Sequence, residues 1–110
     1  MQVLLEAWLV AWVTFYCPCF KCCKANSPEV GGHGLTASGR PPKAGRTVAA
    51  DWKVWSKGTC LEIEGIGIRR VEDRGSKIRG QALDVFMATH EKALKPRTGT
   101  RKVRLAKGGC

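Results

Sequence analysis

Five glycines, Gly58, Gly65, Gly75, Gly80 and Gly99, cut the second half of the chain into apolar runs too short for a packed helix of several turns. Between them stand β-branched and aliphatic side chains near Thr47–Ala50, Thr59–Glu64, Ile66–Glu72, Ala82–Phe86 and Arg101–Ala106, the pattern of short strands joined by tight turns. The spacing predicts an all-β chain closed into a small barrel. One short helix is expected in "THEKALK", where Thr89 supplies an N-cap and Glu91 and Lys95 stand four apart on one face. Residues 17–46, rich in glycine and proline, read as loop. With 110 residues and no repeat, low-complexity stretch or linker, residues 1–110 are read as a single domain with its core at about 11–106.

The opening stretch "MQVLLEAWLVAWVTFY" requires its own decision. No basic residue precedes its apolar part, Glu6 interrupts it, and no small-x-small cleavage site follows, so a signal peptide is not expected. The uninterrupted run Ala7–Val13 falls far short of the roughly 20 residues a membrane helix needs, and no membrane anchor is expected. Its tryptophans and valines suit a buried strand. Action outside the cytoplasm would then depend on another delivery route, such as release by a phage or prophage.

Nineteen Lys and Arg against nine Asp and Glu give a net charge of +10, which favours anionic partners: nucleic acid, membrane surface or cell-wall polymer. The cations are scattered, and no recognised nucleic-acid motif accompanies them, so no specific nucleic-acid partner is expected. The six cysteines leave several states open. Cys17, Cys19, Cys22 and Cys23 crowd into "CPCFKCC", while Cys60 and Cys110 lie far away. Cys19 and Cys22 have the spacing of two zinc ligands, but a second such pair is missing, so no metal and no cofactor are expected. Disulfides and simple packing compete with reduced thiols, and Cys110 reads as a frayed end.

The stretch "EDRGSKIRGQALDVF", residues 72–86, places Asp73 at the end of one apolar run and Asp84 inside the next. Taken alone, such an Asp more often caps a turn or pairs with an arginine than catalyses a reaction. His90 reads as a structural hydrogen-bonding residue and His33 as a loop residue. Trp52 and Trp55 suit core packing or stacking on a sugar.

Taken together, "VTFYCPCFKCC", "GLTASGRPPKAGRTVAAD", "LEIEGIGIRRVEDRGSKIRGQALDVF" and "THEKAL" resemble the 3D domain family, named for three aspartates. Its members include the catalytic barrel of membrane-bound lytic transglycosylase A and small stationary-phase-survival proteins. The three aspartates fall on Asp51, Asp73 and Asp84, and the TASG stretch on Thr36–Gly39. The resemblance implies a six-stranded double-psi β-barrel, acting on peptidoglycan glycan strands as a lytic transglycosylase that leaves 1,6-anhydromuramic acid ends. The alternative it implies is a non-catalytic, expansin-like glycan-binding barrel.

By the same resemblance, Asp84 is the general acid/base, in a partly apolar setting that raises its pKa. Asp73 is its charged companion, held ionised by Lys77 or Arg79. Thr36, Ser38, Asp51, Lys77 and Arg79 are the expected substrate-binding residues. Three departures stand out. Ser76 takes the place of a family glycine, with backbone strain expected if that position has positive φ. Arg79 replaces a lysine, and Trp52 follows Asp51 where proline is usual.

Overall fold

The computed structural model describes residues 7–110; the part of the opening stretch that includes Glu6 lies outside them. Six strands are formed: β1 (Leu9–Tyr16), β2 (Thr47–Ala50), β3 (Cys60–Ile63), β4 (Gly67–Asp73), β5 (Ala82–Phe86) and β6 (Gly99–Leu105). They close in the order β1-β5-β2-β4-β3-β6, with β6 returning to β1. Two pairs are parallel, β1 with β5 and β2 with β4, and the other four are antiparallel. This closed six-stranded barrel has the architecture expected of a double-psi fold, and closure leaves no unpaired edge strand among the described residues.

Alternation along the strands fills the barrel. Val13, Val48, Leu61, Val71, Leu83, Val85 and Val103 are completely buried, with Trp55 and Ile63 packed against them. Burying a side chain of this size contributes about 1.5–3 kcal/mol relative to leaving it in water. On β1 only Ala11 and Val13 are buried, while Val10 and Trp12 are more than half exposed. The buried strand expected there is formed and is two-faced, because a barrel strand turns only alternate residues inward.

The connections hold most of the short helical structure. After β1 come a four-residue helical turn, α1 (Phe20–Cys23), and two 3₁₀ turns at Lys24–Asn26 and Pro28–Val30. The expected helix is α2 (His90–Leu94), where the Thr89 hydroxyl accepts from the Lys92 N–H. Cys110 is no frayed end: it forms a disulfide with Cys60 and ties the tail to β3. Ser76 carries no strain, since Lys24 is the one non-glycine among the described residues with positive φ. Among those residues no helix is long and apolar enough to cross a membrane.

Candidate active site

The site is built by register. Ala11 and Val13 point into the barrel, so Thr14 is displayed on its outer side and lies beside Asp84 of β5. On the other side of Asp84 lies Ala49 of β2. A register shift between Val48 and Ala49 then sets Ala49 against Asp73, the last residue of β4. Ala49 is the shared neighbour of both aspartates, and its single methyl leaves the space between them open. Two strand spacings put their backbones about 10 Å apart. Asp84 stands in the middle of its strand.

The two carboxyl groups are in different states of engagement. Asp84 accepts one hydrogen bond, from the Thr14 hydroxyl at 2.8 Å, and that hydroxyl also has the Leu83 carbonyl within 3.3 Å. Among the described residues it has no ion-pair partner within 4.0 Å. Burial pushes its pKa from 3.8 up to about 6; the Thr14 hydrogen bond opposes the rise and the charge of Asp73 adds to it. In Asp73, Oδ1 accepts from the backbone N–H groups of Ala37 at 3.0 Å and Arg74 at 2.9 Å, and Oδ2 from the Tyr16 hydroxyl at 3.0 Å. Burial, and then the adjacent Asp73, hold the Tyr16 phenol far above its ordinary pKa. The tyrosine ring is braced edge-on against Phe86.

The expected cationic partner of Asp73 is replaced by these three donors. Lys77 is exposed and lines neither chamber of the groove described next, and the Arg79 Nε donates to the Ser76 carbonyl at 3.0 Å. Among the described residues neither cation forms an ion pair with Asp73, and Arg79 instead comes near Asp51.

Asp73, Asp84, Tyr16, Ala49 and Cys23 line a cavity of about 220 Å³. Its wall of Arg74, Gly75 and Ile78 is shared with a second chamber of about 450 Å³ that contains Asp51, Trp52, Lys53, Ser76 and Arg79. The two form one surface groove, acidic at one end and basic at the other, of a size suited to a small-molecule or oligomeric ligand.

The remaining expected residues have well-defined places. Asp51 accepts from the N–H groups of Gly80 at 2.9 Å and Lys53 at 3.0 Å, and these bonds hold its carboxyl below the usual range. Gly80 makes its bond from a backbone with φ +61°, a conformation that disfavours any side chain. Thr36 is buried, and its hydroxyl meets Ser38 Oγ at 2.7 Å and the Arg40 carbonyl at 2.8 Å. Neither Thr36 nor Ser38 lines the groove, and their loop reaches it through the Ala37 N–H on Asp73. Trp52 donates from Nε1 to the Asp73 carbonyl at 2.9 Å, and the Arg74 guanidinium lies 4.5 Å over its ring. Trp55 is core.

Sequence reasoning missed Thr14, Tyr16, Ala49 and Glu72. The period-two burial of β1 would have marked Thr14. Glu72 is fully buried on β4, 2.6 Å from the Thr47 hydroxyl, with Arg46 at 3.0 Å, Arg40 at 3.3 Å and Arg70 at 3.6 Å around its carboxylate. Its backbone carbonyl accepts from the Ser38 N–H at 3.1 Å. It thereby fastens to β4 the loop that delivers Ala37.

Residues 46–106 match the family model described as the 3D domain. Among solved structures the chain is similar to MltA from E. coli, with 22% identity and a TM-score of 0.48, over 66% of this chain and 28% of that one. The chain therefore spans less than a third of that protein's length. No curated protein matches it.

Proposed function

The chain belongs to the 3D domain family, and from that premise we propose that it cleaves peptidoglycan glycan strands as a lytic transglycosylase, with Asp84 as its single general acid/base. The observation that carries the proposal is the contrast between the carboxyl groups: Asp84 has a raised pKa and opens onto the groove, whereas both oxygens of Asp73 already have donors.

Hydrolysis of a glycoside ordinarily requires two working carboxyls, one giving a proton to the leaving oxygen and one attacking or activating water. Asp73 is poorly placed for the second task. A transglycosylase replaces water with the substrate's own nucleophile, the 6-hydroxyl of N-acetylmuramic acid. Protonated Asp84 gives its proton to the glycosidic oxygen as the C1–O bond breaks. The resulting carboxylate takes the proton of the 6-hydroxyl as that oxygen bonds to C1. The 1,6-anhydro ring is closed and Asp84 is protonated again, with no water consumed.

Thr14 suits both halves of this cycle. While Asp84 is ionised the hydroxyl donates to it; while Asp84 is protonated the hydroxyl can turn to the Leu83 carbonyl and leave the acid's proton for the substrate. Asp73, as a fixed charge across Ala49, raises the proton affinity of Asp84 and faces the positive charge that develops at the sugar. Lys53, Arg74 and Arg79 give the larger chamber a cationic lining that suits the carboxylates of muropeptides. Asp51 shapes that chamber through its bonds to Lys53 and Gly80, Thr36 and Ser38 act by holding the loop whose Ala37 N–H reaches Asp73, and the exposed Lys77 is left to longer-range attraction of an anionic glycan.

The test is release of soluble fragments from purified cell-wall sacculi by the wild-type protein and by Asp84→Asn. Release that disappears in the variant, with unchanged circular dichroism, supports the assignment. Sacculi that bind both proteins equally and release nothing identify a non-catalytic glycan-binding barrel.

A further inference from the structure

β1 and β5 are parallel neighbours, with Tyr16 beside Phe86 at their ends. Whatever follows each strand therefore emerges at the same end of the barrel. After β1 comes Cys17-Pro18-Cys19 and the turn carrying Cys22; after β5 comes His90, the first residue of α2. These four side chains converge, their sulfur and nitrogen atoms all within 4.8 Å of one another. His90 Nδ1 lies 3.6 Å from Cys17 Sγ, 3.4 Å from Cys19 Sγ and 3.5 Å from Cys22 Sγ. Cys17 Sγ is 3.1 Å from Cys19 Sγ and 3.4 Å from Cys22 Sγ.

A ring nitrogen has one lone pair or one proton, and it serves one partner well. Three sulfurs at nearly equal distances from it instead mark the corners of a tetrahedron around a common centre. With zinc–sulfur bonds of about 2.3 Å and zinc–nitrogen bonds of about 2.0 Å, the edges of such a tetrahedron measure roughly 3.5–3.8 Å. The three sulfur–nitrogen distances fall close to that range.

We propose that Cys17, Cys19, Cys22 and His90 bind one zinc ion as a closed, structural Cys₃His centre. Three thiolates and an imidazole are a soft, four-coordinate set with no open position, which suits zinc and excludes a role as a hydrolytic metal. Cys17 is fully buried. Cys23, though adjacent, is not a ligand, because its thiol turns away and donates to the Cys17 carbonyl at 3.1 Å. The Cys19/Cys22 pair lacked a second pair in the sequence because the missing ligands are Cys17 and a histidine 73 residues beyond it.

The ion would clamp β1, α1 and α2 at one point. Cys22 and Cys23, in the turn so fixed, also form part of the wall beside Asp84, so the clamp would hold one side of the groove in place.

The decisive measurement is metal content of the full chain, expressed with added zinc and purified under reductant, together with the absorption spectrum after cobalt replaces the zinc. The expected result is one zinc per chain and the intense bands of tetrahedral, thiolate-bound cobalt. Cys22→Ser and His90→Ala should weaken zinc binding by more than the roughly 10–100-fold that outer-shell partners are worth, and Cys23→Ser should retain the metal. A reduced wild-type protein that binds no zinc, a cobalt spectrum lacking thiolate bands, or a Cys23→Ser variant as depleted as Cys22→Ser would overturn the assignment.

Discussion

Asp73 and Asp84 face each other across one residue of β2: Ala49 is the register partner of both, on opposite sides of the strand. The register shift at Val48/Ala49 produces this arrangement, as bulges do when they re-aim a side chain near a site. The floor between the carboxyls is therefore one methyl group wide.

That floor can be raised. Ala49→Leu puts three more carbons between the aspartates, where a sugar would have to sit. Overpacking at a buried site costs about 1–3 kcal/mol, so the variant should stay folded with a lowered Tm while release of fragments from sacculi falls at least tenfold. Thermal melting and turbidity loss of sacculi, measured side by side, give both quantities.

Thr14→Val keeps the shape of the side chain and removes the hydroxyl that donates to Asp84. That bond favours the ionised form, so its loss moves the Asp84 pKa upward from about 6. A hydrogen bond to a charged group is worth about 1.5–3 kcal/mol, or roughly one to two pH units. The limb on which kcat/KM falls with rising pH should shift to higher pH by that amount. An unmoved limb would show that the hydroxyl does not govern the acid.

The raised pKa also marks stability. Asp84 binds its proton more tightly folded, near 6, than its ordinary value of 3.8 allows. Its contribution is therefore full below about pH 4 and is lost as pH rises through 6. Asp84→Asn removes the cost of ionisation, so the variant should gain on the wild type between pH 4 and pH 7, by at most about 3 kcal/mol. Urea unfolding midpoints at the two pH values measure the gain.

Among the described residues, Glu72 is a fully buried carboxylate with three arginines around it. Truncation to alanine leaves Arg40, Arg46 and Arg70 without their shared acceptor. Because these arginines are partly exposed and can recover water, the loss should lie near the lower end for a broken buried pair, about 3 kcal/mol. The loop carrying Ala37 should loosen as well, read as faster amide hydrogen exchange at Ala37 and Ser38.

Much of the barrel was legible because β2 to β6 lie between glycines and carry β-branched cores, and Thr89 announced α2 by its capping chemistry. The site was legible only in part. Asp73 and Asp84 stood out as acids among apolar residues, but their partners Thr14 and Tyr16 sit on β1, 70 and 57 residues away. Proximity in sequence misled for Lys77 and Arg79, which lie in the connection just after Asp73 yet leave it to other donors. The four converging metal-ligand side chains depend on the parallel pairing of β1 with β5, which no local pattern reveals. Cys60 and Cys110 likewise meet only because β6 returns beside β3.

The central claim is that one carboxyl moves a proton both ways while the sugar supplies its own nucleophile. Digestion of sacculi in heavy-oxygen water, followed by mass spectrometry of the soluble products, tests it most directly. The account predicts muropeptides with unlabelled anhydro ends, lighter than the reducing forms by one water. Reducing ends carrying the heavy oxygen would mean that water is the nucleophile, and would contradict it.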